Sequence, residues 1–315
     1  MTPFTTWQGA MLHAQAAWTD AWQLNVLPYA TSNAFAVALQ LLFVLVALTW
    51  LASVVTRNFS FTDRLWSITP PMFAWHFALH AYATDGVWDQ RLLLMAGLST
   101  LWGCRLTFNF WRKGGYKLSE EDYRWAVVRQ YRYMHWTMFE VLNLVFIAGY
   151  QHVLLMLLAV PSYVVYFHRH QELNTVDGVA TALFLMLLVL ETVADQQQWN
   201  FYSKKYELIA QKKPLTGDYK AGFNRSGLFR YSRHPNFFSE MSLWWAFYLF
   251  AVAVSEPLFN PSSLGAILLM LLFHGSAPFT EYITATKYPL YKEYQQHVSM
   301  LVPWFPSVKA VAHDD

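Results

Sequence analysis

The sequence is poor in cysteine, in charge and in the glycine motifs of soluble nucleotide-binding proteins. One cysteine among 315 residues excludes a disulfide framework and a cysteine-based metal cluster. Charged residues make up 13% of the chain, against about 25% in an average soluble domain. There is neither a GxGxxG fingerprint nor a Walker loop, which argues against a soluble type of nucleotide fold.

Long apolar runs dominate the chain. Hydrophobic residues reach 55% and aromatic residues 18%, and the mean hydropathy is +0.21. A membrane-spanning helix needs roughly 20 mostly apolar residues. The pattern therefore predicts an all-α, polytopic membrane helix bundle of about seven transmembrane helices. A break in the chain near Pro161 would change the number of spans by one. The predicted spans are 34–55, 65–84, 91–110, 137–160, 176–195, 237–255 and 262–280.

The basic residues predict the orientation of the bundle. The predicted loops 111–136 and 196–236 contain six and eight Lys and Arg, whereas 168–175 contains only Arg169. Because cytoplasmic loops carry the excess of Lys and Arg, we expect the N-terminus outside and the C-terminus in the cytoplasm. Residues 1–33 lack the basic start of a signal peptide and are interpreted as an interfacial or extra-membrane segment. Residues 34–306 form a single transmembrane domain, and 307–315 form a cytoplasmic tail.

The densest polar cluster lies just before the sixth predicted span. Pro235 suits the first turn of a helix, which would place the basic residues at its electropositive end, where anions bind. An acid one turn inside the membrane indicates function. A basic anchor for anionic lipid is the alternative, but it leaves Asn236 and Glu240 unexplained. The cluster comprises Arg230, Arg233, His234, Asn236 and Glu240.

Two other polar faces have helical spacing. Glu191 and Asp195 are four residues apart. They could bind ribose hydroxyls or pair with the basic loop, or the helix could simply emerge into water there. Arg105, Asn109 and Arg112 share a second face that could hold a phosphate, although snorkelling would also explain Arg112.

His76 and His80 form an HxxxH pair inside the second predicted span. A di-iron site would need several further histidine boxes, which the sequence does not contain, so no metal is predicted. The pair is interpreted as polar core residues, with His76 kept as a candidate catalytic residue that would polarise a substrate.

The C-terminal motifs resemble a known family. GLFRYSRHPNFFSE, preceded by ETVADQQQWNFY and followed by KYPLYKEY and VPWF, is similar to the steroid 5-alpha-reductase C-terminal domain family, in its little-characterised integral membrane branch. DRLWSITPP, LWGCRLTFNFWRKGGY and EEDYRW resemble that branch too, so the similarity spans about 63–306. The wider superfamily includes sterol reductases that use NADPH and isoprenylcysteine carboxyl methyltransferases that use S-adenosylmethionine.

The resemblance implies a nucleotide site in the cytoplasmic half of the bundle. Asp195 and Asn236 would bind the nucleotide, and Glu240, the second candidate catalytic residue, would lie beside the nicotinamide. A hydrophobic small-molecule substrate in the bilayer is implied, and no nucleic-acid partner. The membrane would be the endoplasmic reticulum in a eukaryote and the inner membrane in a bacterium. The other implied cofactor-binding residues are Arg112, Arg233 and His234 around the phosphates, Tyr291 and Tyr294 closing the site, and Tyr231.

The sequence departs from the family motif at two positions. Phe237 and Ser239 stand where Tyr and Gly are common in the family. Three functions therefore stay open. The first is an NADPH-dependent reductase of a lipid or steroid-like carbon–carbon double bond. The second is a lipid or prenylcysteine methyltransferase that uses S-adenosylmethionine, and the third is a non-enzymatic membrane scaffold.

Overall fold

A computed structural model describes residues 6–23, 28–131, 134–255 and 258–307. All regular secondary structure in these ranges is helical, which confirms the all-α prediction. Short 3₁₀ turns occur at Tyr29–Thr31, Gly227–Arg230 and Pro261–Ser263, and a π-helix at Asn143–Tyr150. The α-helices are α1 (Trp7–Trp22), α2 (Ala34–Thr56), α3 (Phe61–Leu65), α4 (Thr69–Asp85), α5 (Gln90–Arg112), α6 (Tyr123–Arg129), α7 (Trp136–Leu142), α8 (Gln151–Phe167), α9 (Thr175–Ala210), α10 (Gly217–Ala221), α11 (Pro235–Val252), α12 (Leu264–Lys287) and α13 (Tyr291–His297).

Four helical segments are long and apolar enough to cross a bilayer, which indicates an integral membrane protein. The other three predicted spans correspond to α4, α5 and α11. These helices are shorter or more polar: α4 has 17 residues, α5 contains three arginines, and α11 contains Glu240. Seven spans and the orientation of the chain therefore stay predictions. The four segments are Ala34–Thr56, Trp136–Phe167, Thr175–Ala210 and Pro261–Lys287.

Two helices continue past the ends expected from sequence. The chain is helical from Trp136 to Phe167, so Pro161 lies inside α8 and does not break it. The π-helical segment within this run is a feature that often marks functional sites. Similarly, α9 does not end near 195 but runs on to Ala210. Glu191 and Asp195 are buried within it, so the helix does not emerge into water at these residues.

The chain divides into two compact units. The first comprises Met1–Thr181 and Ala246–Ile267. In it α4 packs against α5 and α8, and α1 against α2. Asn33 caps α2 by accepting from the backbone N–H groups of Phe35 and Ala36. The Arg91 guanidinium donates to both carboxylate oxygens of Asp177, at 2.8 and 2.7 Å, and this pair fixes the start of α9 to α5.

Gly265 lies where α12 approaches the backbone of α8 within the first unit. A Cβ at this position would be 2.4 Å from the carbonyl oxygen of Leu157. Because backbone atoms cannot move aside, we expect Gly265→Ala to lower the free energy of unfolding by about 1–3 kcal/mol. Thermal unfolding in detergent measures this effect. Gly178→Ala, where an added Cβ meets nothing within 4 Å, is the control. An equal Tm for the two variants would contradict the prediction.

The second unit comprises Ala182–Trp245 and Leu268–Asp315. Its core contains two apolar clusters. Phe223, Tyr291 and Tyr294 form one with their neighbours. Met241, Ala277 and Leu301 form the other. The chain up to Leu301 thus contributes to the core of this unit, while most of the predicted tail 307–315 lies outside the described residues.

Candidate functional site

The segment before α11 is held by the C-terminal residues of the same unit. The backbone N–H groups of Arg233 and His234 donate to the carbonyls of Ser299 and Met300, at 2.8 and 3.1 Å. The N–H of Trp304 donates to the carbonyl of Tyr231. Helix α11 then begins at Pro235, as predicted. This arrangement fixes the direction in which the first turn of α11 presents its side chains.

Glu281 is the centre of a buried hydrogen-bond network in this unit. Arg233 donates from Nε to Oε1 at 2.6 Å and from Nη2 to Oε2 at 3.0 Å. His234 Nε2 lies 2.9 Å from Oε1. Gln295 Nε2 and the Tyr291 hydroxyl also donate to this carboxylate, at 2.7 and 3.3 Å. The Glu281 carboxylate therefore bonds to four side chains of the second unit, and we call this group the Glu281 network.

The remaining Arg233 nitrogen also has partners inside the chain. Its Nη1 donates to the carbonyls of Gln295 and Val298. Arg233 and His234, predicted to surround the cofactor phosphates, are thus engaged by the protein. Their observed contacts make them positioning residues for the start of α11, and phosphate contact stays a prediction.

The predicted tyrosines of α13 are also engaged in internal contacts. The Tyr294 hydroxyl donates to the carbonyl of Phe229, while that of Tyr291 joins the Glu281 network. Burial raises the pKa of both phenols, so they are neutral donors at physiological pH. Tyr231 differs, because its side chain is exposed and its ring lies 6.1 Å from that of Phe305.

Asp195 and Asn236, to which the resemblance assigns nucleotide binding, are in contact in the second unit. Asn236 Nδ2 donates to Asp195 Oδ1 over 3.4 Å. One turn further along α11, Glu240 is 5% exposed and accepts from Trp244 Nε1 at 3.0 Å. The buried carboxylates and the partly buried amide can bind the hydroxyls and amide of a nucleotide. The three residues form the polar centre of the candidate site.

Gly227 brings the segment before α11 close to α9. Its φ is +62°, and an added Cβ would lie 2.5 Å from Gln197 Oε1. The same oxygen accepts from the backbone N–H of Leu228 at 2.9 Å. The left-handed backbone conformation favours a glycine here, and a larger residue would also displace the Gln197 amide that binds Leu228.

Arg112 and His76 belong to the first unit. Arg112 Nε donates to Asn109 Oδ1 at 2.9 Å, as expected from their spacing. His76 contacts the Tyr29 hydroxyl through Nδ1 at 2.9 Å and the Ala34 carbonyl through Nε2 at 2.8 Å. Both imidazole nitrogens therefore have partners, which agrees with the interpretation of His76 as a polar core residue. Its catalytic role stays a prediction.

The departures from the family motif occupy packed positions. The Phe237 ring stacks on His234 at 5.0 Å and contacts Phe273 at 4.5 Å. Ser239 is fully buried, and its hydroxyl donates to the carbonyl of Pro235 at 2.8 Å. Both residues thus stabilise the first turn of α11. Within the described residues, no three His, Cys, Asp or Glu side chains form a metal-ligand group.

Comparisons with known proteins find relatives without an assigned activity. The model of a family of proteins of unknown function, DUF1295, matches residues 49–298. An uncharacterized protein of Schizosaccharomyces pombe is 40% identical over 282 residues, which cover 87% of this chain and 81% of the relative. No solved structure matches the chain.

Proposed function

The chain belongs to the DUF1295 family of proteins of unknown function, and from this premise we propose that it is a membrane-embedded reductase. It would use NADPH to reduce a carbon–carbon double bond of a lipid or steroid-like molecule. Kinship with the steroid 5-alpha-reductase C-terminal domain family, inferred from the motifs around Asn236, is part of this proposal.

The contact between Asp195 and Asn236, with buried Glu240 one turn away, supports the proposal most strongly. These are the positions that the motif assigns to nucleotide binding. They come from α9 and α11, whose sequences are 41 residues apart at the contact. A scaffold would not need two buried carboxylates beside a partly buried amide, because such groups are costly to bury.

Asp195 would accept hydrogen bonds from a nucleotide hydroxyl, and the amide of Asn236 can both donate and accept. Glu240 would orient the nicotinamide end. When bound, the reduced nicotinamide supplies a hydride to the β-carbon of an enone or similar group. A donor near the substrate oxygen would stabilise the resulting negative charge before a proton is added. The aromatic-rich helices would hold the apolar body of the substrate.

Cofactor binding by the detergent-purified protein tests the proposal. We expect NADPH to raise the Tm of the native chain, since a ligand that binds only the folded state stabilises it. Asn236→Ala and Asp195→Ala should each weaken NADPH binding about tenfold or more, the loss expected for one or two polar contacts. Asn200→Ala, which removes an exposed amide from the same helix as Asp195, should bind like the native protein.

The same titration separates the alternatives. Stabilisation by S-adenosylmethionine and not by NADPH would replace the reductase with a methyltransferase. Absence of stabilisation by either compound would favour a scaffold that has kept the polar centre without its ligand.

A further inference from the structure

Lys205 is a buried cation that has no acidic partner among the described residues. It lies in the last part of α9 and is 6% exposed. Its Nζ donates to the carbonyl of Gly222 at 2.9 Å and to the hydroxyl of Tyr288 at 3.1 Å. An ammonium group has three donors, so one N–H remains for a further acceptor. In the described part of the chain, no carboxylate forms an ion pair with Lys205.

A second lysine approaches the same tyrosine. The Nζ atoms of Lys205 and Lys287 lie 4.6 and 5.4 Å from the centre of the Tyr288 ring. Burial alone would raise the pKa of Tyr288, but hydrogen bonds from these two ammonium groups lower it. Two positive charges therefore act on one phenol.

Two acidic side chains close to Lys205 and Gly222 in sequence are paired with other cations. Asp218 accepts from Arg225 at 2.9 Å, and Glu207 pairs with Lys204 at 3.0 Å. Lys205 and Lys287 thus form a local excess of positive charge. Burying the Lys205 charge is unfavourable unless it is compensated, whereas Lys287 is exposed.

Gly222 allows Tyr288 to pack closely against the turn that binds Lys205. Its φ is +97°, and an added Cβ would lie 2.2 Å from Tyr288 Cε1. The absence of a side chain lets the tyrosine ring pack directly on the turn whose carbonyl binds Lys205. The tyrosine and the buried lysine are therefore held in place by the fold.

We propose that Lys205, Lys287 and Tyr288 form a binding site for a phosphate group. A phosphomonoester carries a charge of about −1.5 to −2 at pH 7 and three strong acceptor oxygens. It would match two ammonium groups and use the free N–H of Lys205. A single carboxylate would neutralise only one of the lysines. The phosphate could belong to a nucleotide, to a lipid headgroup or to free phosphate. The site does not depend on the proposed reductase activity, because it shares no residue with the Asp195–Asn236 contact.

An alternative assigns these lysines purely structural roles. Lys205 would tie α9 to Gly222, and Lys287 would be a favourable cation at the C-terminal end of α12. This alternative predicts that phosphate has no effect on either residue.

Phosphate binding and the protection of Lys287 from acetylation distinguish the phosphate site from the purely structural alternative. The full-length protein in detergent is titrated with inorganic phosphate while its Tm is followed. Lysine acetylation is mapped by mass spectrometry with and without phosphate. We expect a rise in Tm and slower acetylation of Lys287. Lys287→Gln, which changes an exposed side chain, should weaken phosphate binding tenfold or more. Lys204→Gln, its control beside Lys205, should bind as the native chain does.

Parallel titrations identify the source of the phosphate. Tighter binding of NADP⁺ than of NAD⁺, lost in Lys287→Gln, would assign the site to a nucleotide phosphate. Binding of phosphatidic acid in preference to phosphatidylcholine, lost in the same variant, would assign it to a lipid headgroup. A native protein whose Tm and Lys287 acetylation do not respond to any of these compounds would overturn the proposal. So would an equal response in Lys287→Gln.

Discussion

Replacing Glu281 by glutamine is expected to destabilise the protein by about 3–5 kcal/mol, the cost of breaking a buried ion pair. The carboxylate is 3% exposed and accepts from Arg233, His234, Tyr291 and Gln295. Glu281→Gln keeps the size of the side chain but leaves the Arg233 charge buried without a counterion. Thermal or denaturant unfolding in detergent measures the change.

Two controls show whether the loss comes from the network. Glu293→Gln removes an exposed carboxylate from neighbouring α13 and should change the stability by no more than about 0.5 kcal/mol. In Arg233→Met/Glu281→Met both charges are absent, so the double variant should be more stable than the sum of the two single losses predicts. Equal stabilities of Glu281→Gln and Glu293→Gln would contradict the prediction.

Asp177→Asn is expected to have a similarly large effect on the first unit. The side chains of Arg91 and Asp177 are 0% and 2% exposed, and the carboxylate accepts two guanidinium bonds. It also accepts from the backbone N–H of Asn174 at 2.7 Å, which helps to begin α9. The substitution leaves Arg91 charged and buried, at a cost of about 3–5 kcal/mol.

Glu172→Gln is the matched control for Asp177→Asn, because Glu172 is an exposed acid five residues earlier. Its side chain can change while its backbone carbonyl still accepts from Arg91 Nη2. We expect native-like unfolding for this variant. Unfolding curves of Asp177→Asn that coincide with those of Glu172→Gln would show that the buried pair does not hold this unit together.

The Glu281 network also affects the proposed site. It holds Arg233 and His234, which immediately precede the helix that carries Asn236 and Glu240. A shift of the segment that contains Arg233 and His234 would move Asn236 and Glu240 of the polar centre, although neither residue is itself changed. We therefore assign the two basic residues a positioning role at the proposed site, through the orientation of α11.

Local patterns predicted the parts of the structure that depend on neighbouring residues. Apolar runs indicated the helices, and Pro235 correctly marked the first residue of α11. Helical spacing placed Asn109 next to Arg112. The resemblance assigned Asp195 and Asn236 to the same nucleotide site, but their direct contact was not predicted, since spacing alone relates only residues on one helix.

Contacts between residues distant in sequence were not predictable in the same way. Glu281 lies at the end of the last apolar run, but its four partners include residues 47 and 48 positions away. The basic residues before α11 indicated an attraction for anions. They did not distinguish Arg233, which is paired with Glu281, from Lys205, for which the described residues contain no acidic partner. One signal in the sequence could have indicated the Glu281 network. Glu281 is an acid at the end of an apolar span, and such an acid is costly unless it is paired.

Hydride transfer from NADPH deuterated at the transferable position tests the reductase assignment most directly. The purified protein is incubated with this compound and a set of lipid and steroid-like enones, and the products are analysed by mass spectrometry. We expect one deuterium at the β-carbon of a reduced product, with the transfer abolished in Asn236→Ala and retained in Asn200→Ala. Deuterium-free products together with methyl transfer from S-adenosylmethionine, or unchanged enones in the presence of bound NADPH, would contradict the assignment.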